Sequence, residues 1–174
     1  MDQLDFSFEE TPDDLPDPES SDPESLAVLA SYANEQLLYH YIRWLIHRPG
    51  IALPQNDPQF AQCLQAATEA ASAMVRVLVT YSAATRLIKA NPACHPYTMF
   101  VAGLTPLYRS ALLKAMPGTI PMLGYSAEAD LEACKHTMTA LASMSHDHAD
   151  GVRRRVYQTL VSRVFGDDHE ERMI

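Results

Sequence analysis

The sequence predicts an all-α fold: five to six packed helices in a bundle-like body, led by an acidic arm whose composition marks it as disordered. Three observations predict this. Apolar residues recur at spacings of three and four through most of the chain. Residue–proline pairs that cap helix starts (Asp22-Pro23, Asp57-Pro58 and His95-Pro96) open the periodic stretches. No period-two run bounded by turn residues occurs, so no strand is expected. At 174 residues the chain is long enough for one domain with a real core. We divide it into an arm (1–24), a helical body (25–165) and a frayed tail (166–174).

The arm is acidic and proline-rich. Residues 1–24 hold ten acids, no Lys or Arg, and Pro12, Pro16, Pro18 and Pro23. That leaves too little apolar surface to offset the entropy of ordering. Phe6 and Phe8 stand out among the acids, in a pattern shared by activation segments that fold on a coactivator and by plain acidic linkers.

The first helix starts at Asp22-Pro23 and runs to about His47, where Arg48-Pro49-Gly50 stops it. Leu26, Leu29, Ala33, Leu37, Tyr41 and Trp44 form one stripe. Leu38, Ile42, Leu45 and Ile46 form a second face, so the helix is expected to be central and buried on both sides. The second helix opens at Asp57-Pro58 and carries Phe60, Leu64, Ala67, Ala71, Met74 and Leu78. Without Gly or Pro before Asn91-Pro92, it is expected to be long. The third opens at His95-Pro96, and Pro106 predicts a kink or break near residues 103–105. Ser126 caps the fourth, with Glu128 and Asp130 placed to suit the helix dipole and Leu131, Cys134, Met138 and Leu141 as its stripe. In the fifth, Val152, Val156, Leu160 and Val164 align.

Charge narrows the functions. Twelve acids face thirteen bases after residue 24, so the −9 net charge belongs to the arm. A near-neutral body with an acidic arm is a poor match for DNA, whose affinity rests on Lys and Arg. Three scattered cysteines (Cys63, Cys94, Cys134) without a CxxC pair favour reduced thiols. Cys63 and Cys134 fall on apolar stripes, whereas Cys94 falls in a loop and is the one reactive candidate. The longest charge-free apolar run, 96–108, is too short to span a membrane.

Few residues point to a chemistry. His146-Asp147-His148 is the best metal candidate, but residues two apart in a turn seldom converge on an ion, and a polar helix connection is the simpler explanation. His40 and His47 lie seven apart on one helix face and read as satisfied core histidines. Arg153-Arg154-Arg155 reads as a solvated face that could also contact a phosphate backbone, serve as a weak import signal or dock the acidic arm. No phosphate loop and no nucleophile elbow appears, so no metal or organic cofactor is expected.

One resemblance goes further. The run Tyr39-His40-Tyr41-Ile42-Arg43-Trp44-Leu45-Ile46-His47-Arg48-Pro49 ends a helix in aromatic, His, aliphatic and Arg-Pro residues. Cys63 and Ala66-Ala67 open an Ala-rich helix. Pro96 leads through Phe100 to Gly103, and a helix pair from Asp130 to Val164 closes the series. In order and spacing, residues 25–165 resemble the C-terminal part of the fungal-specific transcription factor domain, the helical middle region of zinc-cluster regulators. The six-cysteine cluster, basic linker and coiled coil of such regulators are not among these residues. The resemblance therefore implies the regulatory piece of a nuclear transcription regulator, controlling a metabolic or secondary-metabolite gene set, that is not an enzyme. It further implies a protein partner (a full-length regulator, a coactivator or a second copy), indirect DNA contact and scope for a small-molecule effector. Two other readings use the same residues: a free-standing scaffold that titrates a full-length regulator, and a small helical enzyme acting on an apolar metabolite in a cavity between the first three helices, where Gly103 and Pro106 would leave room.

Overall fold

The computed structural model describes residues 14–88, 90–117, 126–144 and 148–166. These form six α-helices and two 3-10 turns, with no strand among them. The helices are α1 (Pro23–His47), α2 (Pro58–Thr80), α3 (Ser82–Thr85), α4 (Pro96–Ala115), α5 (Ala127–Met144) and α6 (His148–Phe165). The 3-10 turns are Arg48–Ala52 and Pro92–Cys94.

The starts follow the capping signals. The Asp22 carboxylate accepts from the Ser25 amide at 2.9 Å, and Asp57 accepts from the Gln59 amide at 2.8 Å. His95 caps α4 through Nδ1, which accepts from the Tyr97 amide at 3.2 Å. The Ser126 hydroxyl accepts from the Ala129 amide at 3.2 Å. Each bond satisfies one of the four amides that a helix start leaves orphaned.

The centre of the fold is α2 together with α4. α2 packs on α1, α4 and α5, while α6 lies across α4 and α5 and α1 leans on α2 and α3. The expected α2 stripe is buried throughout: Phe60, Leu64, Ala67, Ala71, Met74 and Leu78. Its alanines let neighbouring helices approach, and the main core gathers Leu37, Trp44, Met74, Met99, Leu141 and Tyr157. Fully burying each large side chain of this kind stabilises by roughly 1.5–3 kcal/mol.

Four expectations about the helices are corrected. First, α2 does not continue to Asn91. It stops at Tyr81, whose backbone leaves the helical region (φ −105°, ψ 37°). The Tyr81 ring turns instead against Tyr32 of α1, with centroids 5.7 Å apart and edge to face. Packing in the satellite cluster of Leu29, Ala30, Ala33, Tyr81 and Ala84 overrides helix propensity there. Second, Pro106 does not break α4 into two pieces: the helix runs from Pro96 to Ala115 with Pro106 buried inside it. The Tyr157 hydroxyl donates to the Gly103 carbonyl at 2.8 Å, supplying a donor beside the point where proline interrupts the ladder.

Third, the apolar row of α6 is only half used, since Leu160 and Val164 pack partly buried on the core. Tyr157 and Val161 are fully buried, while Val152 and Val156 are exposed. Fourth, the second apolar face of α1 is not buried, as described below. Leu15, in the segment read as arm, packs half-buried against the cluster around Leu29. Residues 1–13, with Phe6 and Phe8, lie outside the described residues, as does the tail from 167 onward.

Candidate functional site

The outward face of α1 is the most unusual surface of the molecule. Leu38, Ile42, Leu45 and Ile46 recur at helical spacing and remain 43%, 47%, 40% and 67% exposed. Their opposite neighbours, Leu37 and Trp44, are buried against α2 and α4. A helix apolar on two faces was expected to be central; α1 is peripheral because α4 and α5 occupy the other side of α2. The stripe exposes nearly two complete aliphatic side chains along less than three helical turns. Contiguous exposed apolar patches of this kind mark interaction surfaces.

A groove of 660 Å³ adjoins the stripe. Ala30, Asn34 and Leu38 of α1 form one wall, and Leu87, Ile88 and Pro92 form the other. Asn91 holds the two walls together, its amide donating to Asn34 Oδ1 at 2.9 Å. Leu87, at 64% exposed, stands at the rim.

The motif residues of the resemblance divide between this surface and the core. Leu45 and Pro49 are exposed. Arg48 is exposed but sits with its guanidinium 5.0 Å from the Trp44 ring centre, a cation–π contact that closes the end of α1. Gly50 follows because a Cβ there would lie 2.3 Å from Cys63 Sγ. Tyr39 and His40 are half-buried, rings edge to face with centroids 5.0 Å apart. His47 is half-buried and Pro96 starts α4. Phe100 meets the Tyr157 ring edge to face at 6.3 Å. The two motif segments join through one buried bond, in which the Trp44 indole N–H donates to the Thr105 hydroxyl at 3.2 Å.

His40 is not the satisfied core histidine that its position implied. Its Nδ1 is enclosed without a hydrogen-bond partner. Burial pushes its pKa down to about 4, helped by the charges of Arg43 and Arg76. His47 is lowered as well, chiefly by burial. Beside them Arg43 pairs with Glu69 of α2 at 2.8 Å.

A buried polar cluster went unnoticed in the sequence. Arg109 Nε donates to Asp130 Oδ2 at 3.1 Å, and its Nη2 donates to Oδ1. The Ser110 hydroxyl adds a bond to Oδ2 at 2.8 Å. All three residues are buried, so this forked pair fastens α4 to α5. Asp130 had been read only as an acid suited to a helix start. The available signal was Arg109, a base in the middle of a largely apolar helix whose other base, Lys114, stands in its last turn. Thr137 and Tyr157, both fully buried, also escaped the sequence reading.

These groups offer little chemistry. Burial pushes the Cys134 thiol up to about 12 and Cys94 up to about 11, which disfavours the nucleophilic thiolate at both. Tyr157 is raised well above its ordinary value by burial. At Gly103 there is no spare room, since a Cβ there would meet Thr137 Cγ2 at 2.3 Å. The position serves the close approach of α5 rather than a substrate.

In the basic triplet, Arg154 and Arg155 are exposed, but Arg153 is half-buried and paired with Asp150. His146 and Asp147, and the side chain of His148, lie outside the described residues. Among the described residues, no group of three His, Cys, Asp or Glu could hold a metal ion. No described helix is long and apolar enough to cross a membrane.

No protein-family model, no curated protein and no solved structure matches this chain.

Proposed function

We propose that this chain is the partner-binding regulatory body of a nuclear transcription regulator of the fungal zinc-cluster kind, acting through protein contact and not through catalysis. One observation carries the reading: the exposed row Leu38, Ile42, Leu45 and Ile46 on the longest helix. It occupies the same helix end as the aromatic-His-aliphatic-Arg-Pro run on which the resemblance rests. A solvent-facing aliphatic row stabilises the isolated fold little, so its use is to be covered by another protein surface. Contact with DNA would come from a zinc cluster carried elsewhere, or from the partner. A metabolic or secondary-metabolite gene set is the proposed target.

The test is a tethered reporter. The chain is fused to an unrelated DNA-binding domain in a fungal host, and reporter output is compared with that of the double variant Ile42→Glu with Leu45→Glu. The tethered chain should raise or lower output, and the variant should lose the effect by on the order of tenfold. A fusion that leaves output unchanged, or a variant as active as the parent, would refute the reading.

A further inference from the structure

We propose that residues 4–8 of this chain occupy the groove between α1 and the segment 87–92, with Phe6 and Phe8 seated against Leu38 and Leu87. This goes beyond the reading of the α1 row as a partner surface, and it gives the recess beside that row an occupant from the chain itself.

Leu15 fixes where the arm begins. It packs half-buried against the cluster of Leu29, Ala30, Ala33, Tyr81 and Ala84. Ala30 of that cluster lines one wall of the groove, and Ile88, which packs on the same cluster, lines the other. The chain upstream of Asp14 therefore starts beside the groove. Phe8 stands seven residues before Leu15, a reach of up to about 25 Å. Along α1, Ala30 and Leu38 are about 12 Å apart at 1.5 Å per residue. Phe8 can thus reach any point of the recess.

The pattern of residues 4–9 suits that recess. Leu4, Phe6 and Phe8 alternate with Asp5, Ser7 and Glu9. An extended backbone points alternate side chains to opposite edges, so the three apolar groups would share one edge over about 13 Å. That length matches the run from Ala30 to Leu38. The groove holds 660 Å³, and its lining is mostly apolar. Leu38 and Leu87 are 43% and 64% exposed on its two walls, and two phenyl rings would cover them.

Charge points the same way. Residues 1–13 hold five acids (Asp2, Asp5, Glu9, Glu10 and Asp13) and no Lys or Arg. The second wall of the groove belongs to a stretch, residues 70–127, with five bases and no acid. Two of those bases, Arg86 and Lys89, flank Leu87 and Ile88 in the sequence, and Arg86 is exposed. On the α1 side Glu35 is exposed, so the arm's carboxylates belong on the rim of Arg86. A short tether raises the effective concentration to the millimolar range, so a contact that is weak between separate molecules suffices within one chain.

The test compares amide resonances of the full chain with those of the double variant Phe6→Ala with Phe8→Ala, whose changes lie outside the helices. Resonances of Ala30, Asn34, Leu38, Leu87, Ile88 and Asn91 should shift, and those of α6 around Val156 should stay in place. The shifts should not depend on protein concentration. A synthetic peptide of residues 1–13, added to the double variant at millimolar concentration, should move the same resonances back toward their original positions. The same peptide with both phenylalanines replaced by alanine should not.

Shifts confined to residues 1–13, or gathered on α6 near Arg154 and Arg155, would overturn the proposal. Groove shifts that fade on dilution would do the same, by placing the arm in a second copy. The tethered reporter uses Ile42 and Leu45, which do not line the groove. The two readings therefore fail separately.

Discussion

Gly103→Ala isolates the packing of α4 on α5. Helix propensity alone would favour the change by about 1 kcal/mol. The structure argues the other way. The new methyl would lie 2.3 Å from Thr137 Cγ2, 2.9 Å from Oγ1 and 3.1 Å from Cβ. Thr137 is fully buried, and its hydroxyl donates to the Ala133 carbonyl at 2.9 Å. Rotation about χ1 gives no escape, because every rotamer leaves at least one of the two heavy substituents facing Gly103. The helices must therefore separate, which costs about 1–3 kcal/mol for overpacking of this kind. Separation also stretches the bond from the Tyr157 hydroxyl to the Gly103 carbonyl, at 2.8 Å, worth about 1 kcal/mol. We expect a net loss of about 1–2 kcal/mol in urea unfolding, seen as a lower midpoint with an unchanged slope. Thr137→Ser removes the offending methyl, so Gly103→Ala with Thr137→Ser should recover most of the loss. The coupling between the two sites should be on the order of 2 kcal/mol. A Gly103→Ala variant more stable than wild type, or additive behaviour in the double variant, would refute the argument.

Two further outcomes follow from the core and from α1. Asp130→Ala should cost about 3–5 kcal/mol in the same unfolding assay, because it strips the buried Arg109 guanidinium of its carboxylate; a loss below about 1 kcal/mol would show the pair to be solvated. His40 should make stability fall in mild acid. Its pKa, lowered from an ordinary 6.5 to about 4, means that the unfolded chain takes up a proton there before the folded chain does. The contribution of His40 is thus complete above pH 6.5 and is lost as pH drops toward 4. Allowing for its partial exposure, the loss between pH 7 and pH 5 should be on the order of 1 kcal/mol. His40→Gln should remove that share, and equal pH slopes in variant and wild type would reject it.

The starts of the helices were legible in the chain because capping is local chemistry. Asp22, Asp57, His95 and Ser126 each reach an amide two or three residues on, and a proline beside three of them fixes the backbone for the first turn. The apolar period of α2 was equally legible, since a central helix has neighbours along its whole length and every stripe position is used. The candidate site was legible only in part. Leu38, Ile42, Leu45 and Ile46 were plain as a second apolar face, yet their pattern is the same whether the face is buried or bare.

What only the tertiary structure decided were the partners across helices. The sequence determined an all-α chain with a row of aliphatic residues on α1, because periodicity and capping depend on neighbours three or four residues away. It did not determine that α2 stops at Tyr81, since that break depends on the ring of Tyr32, far back in the chain. Nor did it show that Gly103 receives Thr137 or that Arg109 meets Asp130. Pairings between elements follow from which faces the packing brings together, and the identity of a single residue does not encode its distant neighbour. The same cause left the outer face of α1 bare: α4 and α5 cover the far side of α2, and the described residues supply no helix to cover that of α1.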